Sequence, residues 1–152
     1  MATYDLYIEP APIVDQKYGL GLMGMGYTRS VGVRGPYKMV VQWAKRFLTP
    51  VGSDPADLTA GTEFPNLIGA NISDIEDIRD VVLLAIQECD EQMRSAQSQQ
   101  PQLDDDEVLQ SSVLTSFEAV GADGFTAWVD IHNILGTAIT VRLPQHSIRT
   151  VP

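Results

Sequence analysis

Asp130 and His132 stand two residues apart in a β-prone run, so their side chains share one face of a strand. A carboxylate beside an imidazole could act as an acid–base pair in hydrolysis. Glu63, between Thr62 and Phe64, is the carboxylate in most apolar company and a third candidate for such a site. A single glutamate does not make a glycosidase, which needs a second carboxylate at a defined distance. His146 sits beside Ser147 in a short tail with no scaffold around it. The chain has no Gly-x-Ser-x-Gly elbow, no Cys/His metal spacing and no carboxylate pair in an apolar setting. The expected state of Asp130 and His132 is a polar pair on a solvent-facing strand, and a small hydrolase using them is the alternative.

Other segments suggest chemistry only superficially. Gly19, Gly21, Gly24 and Gly26, with Met23 and Met25 between them, have the density of a phosphate loop. No Lys-Ser/Thr follows, and no strand–turn–helix frame is evident, so a loop or irregular edge strand is expected. Asp104, Asp105, Asp106 and Glu107 lack the alternating ligands and turn glycine of a calcium loop. They read as a solvated acidic turn. Cys89, the single cysteine, rules out an internal disulfide and falls on an apolar helical stripe, so it reads as a small buried hydrophobe. No cofactor or metal is expected, and the protein is expected not to be an enzyme.

The 152 residues fit one domain with a self-sufficient core. The net charge of −10 is uneven: residues 1–50 carry six cations against three acids, and residues 51–107 carry two against fourteen. The acidic middle would repel phosphates, which argues against direct nucleic-acid binding. A basic first third beside an acidic middle suits head-to-tail contact between subunits, although both could simply be solvated surface. No apolar run has the length of a membrane span. Met1 to Pro10 holds Asp5 and Glu9 and no cation, so it does not read as a secretory signal.

The elements that must position these residues follow in order. Thr3 to Ile8 is β-prone, and Val31 to Arg34 is a possible strand. Gly35-Pro36 opens a helix whose apolar face is Tyr37, Val40, Val41, Ala44, Phe47 and Leu48, with Lys38, Lys45 and Arg46 off it. Residues 51–69 read as a loop with Phe64, Leu67 and Ile68 as anchors. Ser73-Asp74-Ile75-Glu76 is a capping box, and a helix from about Asp74 to Ala96 follows. Its stripe is Ile75, Ile78, Val82, Ala85, Ile86, Cys89 and Met93. After a polar linker, residues 108–143 read as an antiparallel meander with turns at Gly121–Gly124 and Asn133–Gly136. The division is a strand and Gly-rich segment in 1–35, a helical part in 36–96 with a loop inserted at 50–72, the meander, and an extended tail in 144–152. The fold class is α+β, with an antiparallel meander packed on two helices.

The order of features carries a resemblance. Leu48-Thr49-Pro50-Val51-Gly52-Ser53, then Gly61-Thr62 and Asn66-Leu67-Ile68-Gly69, precede the capped helix. His132-Asn133-Ile134-Leu135-Gly136 lies in the meander, which closes at Leu143-Pro144. Over most of residues 30–144 this resembles the sheath-initiator, or inner baseplate wedge, family of contractile-tailed bacteriophages (the lysozyme-like baseplate wedge family). Many members carry a Glu-Pro-Arg triplet after the long helix, which engages the central wedge bundle. Here Asp106-Glu107-Val108 stands there without the proline or arginine, so those roles are not carried over.

The resemblance implies a fold like the sheath protein's core domain and a structural role in the virion, at the tail baseplate, after assembly in the host cytoplasm. The implied partners are the tail sheath protein and other baseplate wedge proteins, with the tail tube a further candidate and no membrane. A tail completion or neck adaptor would share the fold. Sheath arms in such systems are held by strand addition, and an exposed meander edge offers unpaired amides and carbonyls for it. The expected docking strand is Thr137, Ala138, Ile139, Thr140, Val141, Arg142 and Leu143, which holds no proline and one charge.

Overall fold

A computed structural model describes residues 5–6, 8–10, 20–25, 32–67, 74–120, 124–143 and 146–147, with side chains described in 34–67, 74–120 and 124–143. In chain order these form β1 (Asp5–Leu6), β2 (Ile8–Pro10), β3 (Leu20–Met25), β4 (Gly32–Val33) and α1 (Pro36–Phe47). A 3-10 turn (Phe64–Leu67), α2 (Ile75–Ser98), a second 3-10 turn (Asp105–Glu107), β5 (Leu109–Ala119), β6 (Gly124–Asn133), β7 (Ala138–Arg142) and β8 (His146–Ser147) follow. The arrangement is α+β, as the sequence indicates. No helix among the described residues is long and apolar enough to cross a membrane.

The meander β5–β6–β7 is antiparallel throughout. Its inner face is set by alternation: Phe125, Ala127, Val129 and Ile131 on β6, with Val141 on β7, are buried against the helices. Phe117 and Ile139 pack on the margin of the same core. The larger sheet has the order β2-β3-β7-β6-β5, with β8 also paired to β6, while β1 and β4 form a separate pair. The Gly-rich stretch therefore supplies a strand, β3, that lies inside the sheet and runs parallel to β7.

The helices cover the inner face. Met39, Val40, Val41, Trp43, Ala44 and Phe47 are buried on α1. Tyr37, expected on that face, is exposed, and Lys38, expected off it, is buried. On α2 the buried stripe holds Ile78, Val82, Ala85, Ile86, Cys89 and Met93, as the sequence period requires, together with Asp90 and Gln97. Helix α2 is capped by Asp74, whose side chain accepts from the Glu76 amide. The expected cap, Ser73, lies outside the described residues. Asp74 satisfies one of the free amides of the first turn, so the helix begins one residue later and ends at Ser98.

An aromatic spine joins the layers. Trp43 stacks on Phe47 at 4.7 Å, Phe47 meets Phe64 at 4.5 Å, Phe64 meets Phe125 edge-on at 6.3 Å, and Phe125 stacks on Phe117 at 5.2 Å. The line runs from α1 through the first 3-10 turn to β6 and β5. Each contact adds about 1 kcal/mol beyond area burial, so the loop anchor Phe64 is as much a core residue as any on the helices.

Candidate functional site

Two surfaces could carry function: the far face of the meander, with Asp130 and His132, and the sheet rims. On the far face, Asp130 Oδ1 accepts from Thr140 Oγ1 at 2.6 Å across the β6–β7 ladder. His132 is half-buried on the same face, opposite Ser111 and Ala138. The Arg142 guanidinium lies 5.6 Å from the centre of the Trp128 ring on that face. Glu63 is elsewhere: it is exposed, accepts from Asn66 Nδ2 and lines a shallow groove with Glu88 and Glu91 of α2. The core lies between it and Asp130, so the three candidates are not one site. Among the described residues no three His, Cys, Asp or Glu side chains gather as a metal site.

The rims differ from the expectation. Thr137–Leu143 contains a strand, but that strand is not the rim. Its β6 side is paired over Ala138–Arg142, and on its other side Val141 and Arg142 face Leu20 and Gly21 of β3. The Thr137 amide is taken by Asn133 Oδ1 at 2.7 Å, and the Leu143 amide by the Ala127 carbonyl. β3 thus lies alongside the end of the edge that Thr137–Leu143 would have offered, at Val141 and Arg142. Of the residues expected to form an open rim, Val141 and Arg142 are therefore paired on both sides, because β7 lies between β6 and β3.

The two terminal strands of the sheet are β2 and β5. β2 has three residues and ends in Pro10, and both shortness and proline protect an edge. β5 is eleven residues long and is the exposed template. It carries irregularities at Leu109/Ser111 and Leu114/Ser116, which twist an edge locally.

The β5 rim is divided. At its start α2 takes the place of a strand partner. Asp90 accepts the Ser112 amide and hydroxyl, and Arg94 donates to the Gln110 carbonyl. Gln97 behaves like a peptide group, donating to the Glu107 carbonyl and accepting the Leu109 amide, both at 2.9 Å. From Val113 to Ala119, among the described residues, no segment pairs along the outer side. The Val120 amide bonds the Gly124 carbonyl, so antiparallel alternation turns the amides of Phe117 and Ala119 outward. The open stretch is roughly 20 Å long.

Besides Lys38, the sequence reading missed other buried polar groups, among them Asp90, Glu107 and Gln97. Asp90 is hidden in the apolar stripe of α2 and binds Trp43 Nε1 at 2.9 Å. Glu107 is not part of a solvated turn: it is buried, ion-paired to Lys38, and accepts the Gly35 amide at the start of α1. Gln97 is buried as well. The signal for Lys38–Glu107 was present in one form only: α1 opens on Gly35 with no side-chain cap of its own, so an acid from elsewhere had to satisfy it.

The segment that carries the family likeness is a hydrogen-bonded loop. The Thr62 amide donates to the Thr49 carbonyl, the Val51 amide to the Thr62 carbonyl, and Thr62 Oγ1 to the Phe47 carbonyl. Gln92 clamps both the amide and the carbonyl of Gly61. Gly61 has φ 104°, and a Cβ there would lie 2.4 Å from the Thr49 oxygen. Glycine is the residue this close approach allows. Compared with protein-family models, with curated proteins and with solved structures, the chain matches none.

Proposed function

We propose that this chain is a structural component of a contractile phage-tail baseplate, joining the inner wedge to the first ring of sheath, and that β5 receives the neighbour's strand. The observation that carries the reading is the open stretch of β5 from Val113 to Ala119, beside a segment already capped by α2. Backbone pairing there would give attachment without demanding a particular partner sequence. The loop from Leu48 to Thr62 supports the same reading, because Thr49, Gly61 and Thr62 serve closure of the loop rather than chemistry. The partners are then the sheath protein and the other wedge proteins, and the place of action is the virion.

The hydrolase reading draws no support from the geometry: Asp130 is held by Thr140, and Glu63 is on the helical side. A neck adaptor would use the same rim at another position in the particle.

Ala119→Pro tests the proposal. It removes an outward amide while leaving the inward ladder of β5 intact. Sheath polymerisation on particles carrying this variant should fail or fall at least tenfold, with the melting curve of the isolated protein unchanged. Normal sheath growth on a folded variant would remove β5 as the docking strand.

A further inference from the structure

Helix α2 and β5 run antiparallel beside each other. Gln97 accepts the Leu109 amide, Arg94 donates to the Gln110 carbonyl, and Asp90 accepts the Ser112 amide, so the helix follows the outer rim of the strand with a polar stripe. Two turns from Asp90 toward the helix N-terminus, the same stripe carries Leu83, which is 37% exposed. Two helical turns cover about 10 Å, as do three residues of strand. Leu83 therefore stands level with the strand between Leu114 and Phe117, within the open stretch.

The inward-pointing residues of that stretch are Leu114, Phe117 and Ala119, opposite Val129, Ala127 and Phe125 on the buried face of β6. Leu114 and Phe117 are half-buried against the core. The same three residues turn their amides away from β6. The Ser112 amide goes outward to Asp90, alternation sends that of Leu114 after it, and those of Phe117 and Ala119 follow beyond the irregularity at Leu114/Ser116.

We infer that the space between Leu83 and the open part of β5 seats one side chain of the strand that the rim receives. Its occupant is an extended segment of another protein, with an aliphatic or aromatic residue paired to Phe117. The inference rests on the reading of β5 as the docking strand and adds which partner that rim accepts. Outward amides call for the backbone of a strand. A residue paired directly with Phe117 has its side chain on the same face of the sheet, so it enters between Phe117 and α2 and meets Leu83. A polar side chain would lose its water there against Leu83, Leu114 and Phe117. Arg79 and Glu76, further along the helix, answer each other at 3.5 Å. A second copy of this chain fits poorly. Antiparallel pairing of Phe117 with the copy's Ala119 sets the exposed Glu118 against the copy's Glu118, and like charges directly opposite are destabilising.

The test uses the full-length protein with a photo-crosslinking phenylalanine analogue at Leu83, and separately at Glu118, in cells producing the parent particle. Crosslinked peptides are identified by mass spectrometry. Both probes should link to one short segment of another protein, and the residue linked from Leu83 should be aliphatic or aromatic. With the probe at Glu118, Leu83→Asp should cut the yield at least fivefold and Leu83→Met should keep it, each with an unchanged melting curve. A Glu118 link that Ala119→Pro abolishes and Leu83→Asp leaves unmoved would overturn this inference and leave the rim reading standing. A Glu118 link that survives Ala119→Pro would overturn both. No link from Leu83, or a link to a polar residue or to a second copy of this chain, would overturn the inference as well.

Discussion

The Asp90 carboxylate on α2 takes both the amide and the hydroxyl of Ser112 on β5, each at 2.7 Å. One helix side chain thus closes the rim between the two irregularities of the strand. The same carboxylate also holds Trp43 Nε1, so the closed part of the rim is anchored to both helices. That anchoring separates a capped beginning of β5 from an end with no partner strand among the described residues.

Asp90→Ala would strand the Trp43 and Ser112 donors at a buried position. Each lost hydrogen bond to a charged acceptor costs about 1.5 to 3 kcal/mol, so a loss of about 3 kcal/mol or more is expected in denaturant unfolding. Asp90→Asn keeps one acceptor oxygen and should lose less. Equal stability of the three proteins would contradict the assigned bonds.

The buried Lys38–Glu107 pair predicts asymmetric costs. Lys38→Met leaves a buried carboxylate without its cation and should cost about 3 to 5 kcal/mol. Lys38→Met with Glu107→Gln removes both charges and keeps an oxygen for the Gly35 amide, so it should recover much of that loss. A double-mutant cycle reads the coupling, and strictly additive effects would mean the two side chains do not interact.

Gly61→Ala places a Cβ against the Thr49 oxygen at a positive φ. Strain of this kind costs about 1 to 3 kcal/mol. Gln92→Ala should weaken the same loop by releasing both backbone groups of Gly61. Proteolysis within residues 50–62 should accelerate in both variants while the meander stays protected from hydrogen exchange.

Burial, then the neighbouring Asp90 charge, push the Cys89 thiol well above its usual range. The folded protein therefore holds this proton where the unfolded chain has lost it. The stabilising contribution is complete below the ordinary thiol value of about 8.5 and is lost as pH rises above it. Stability should fall by up to about 1.4 kcal/mol per pH unit in that window. Cys89→Ala should show a shallower decline, and identical slopes would contradict the burial argument.

The helices and the meander were legible because their apolar periods are long: the α2 stripe and the alternation from Phe125 to Ile131 each repeat several times. The rim was not legible. Which strand of a meander lies outermost depends on pairing with a segment more than a hundred residues away, and Leu20–Met25 shows no alternation that would announce it. Tyr37 and Lys38 were exchanged in burial, and the burial of Lys38 goes with its ion pair to Glu107, a partner far away in sequence. Glu107 and Asp90 escaped notice because an acid in sequence looks solvated until its donor is known, and Lys38 and Trp43 are 69 and 47 residues away. On the candidate site, the presence of a sheet edge was inferable from the β content, while which strand is outermost required the topology.

Electron cryomicroscopy of the parent particle, at a resolution that traces strands, tests the central claim most directly. The account predicts this chain between the inner baseplate and the first sheath ring, with a sheath strand paired along β5 between Val113 and Ala119. A particle in which that stretch faces solvent, or in which the chain is absent from the tail, would contradict it.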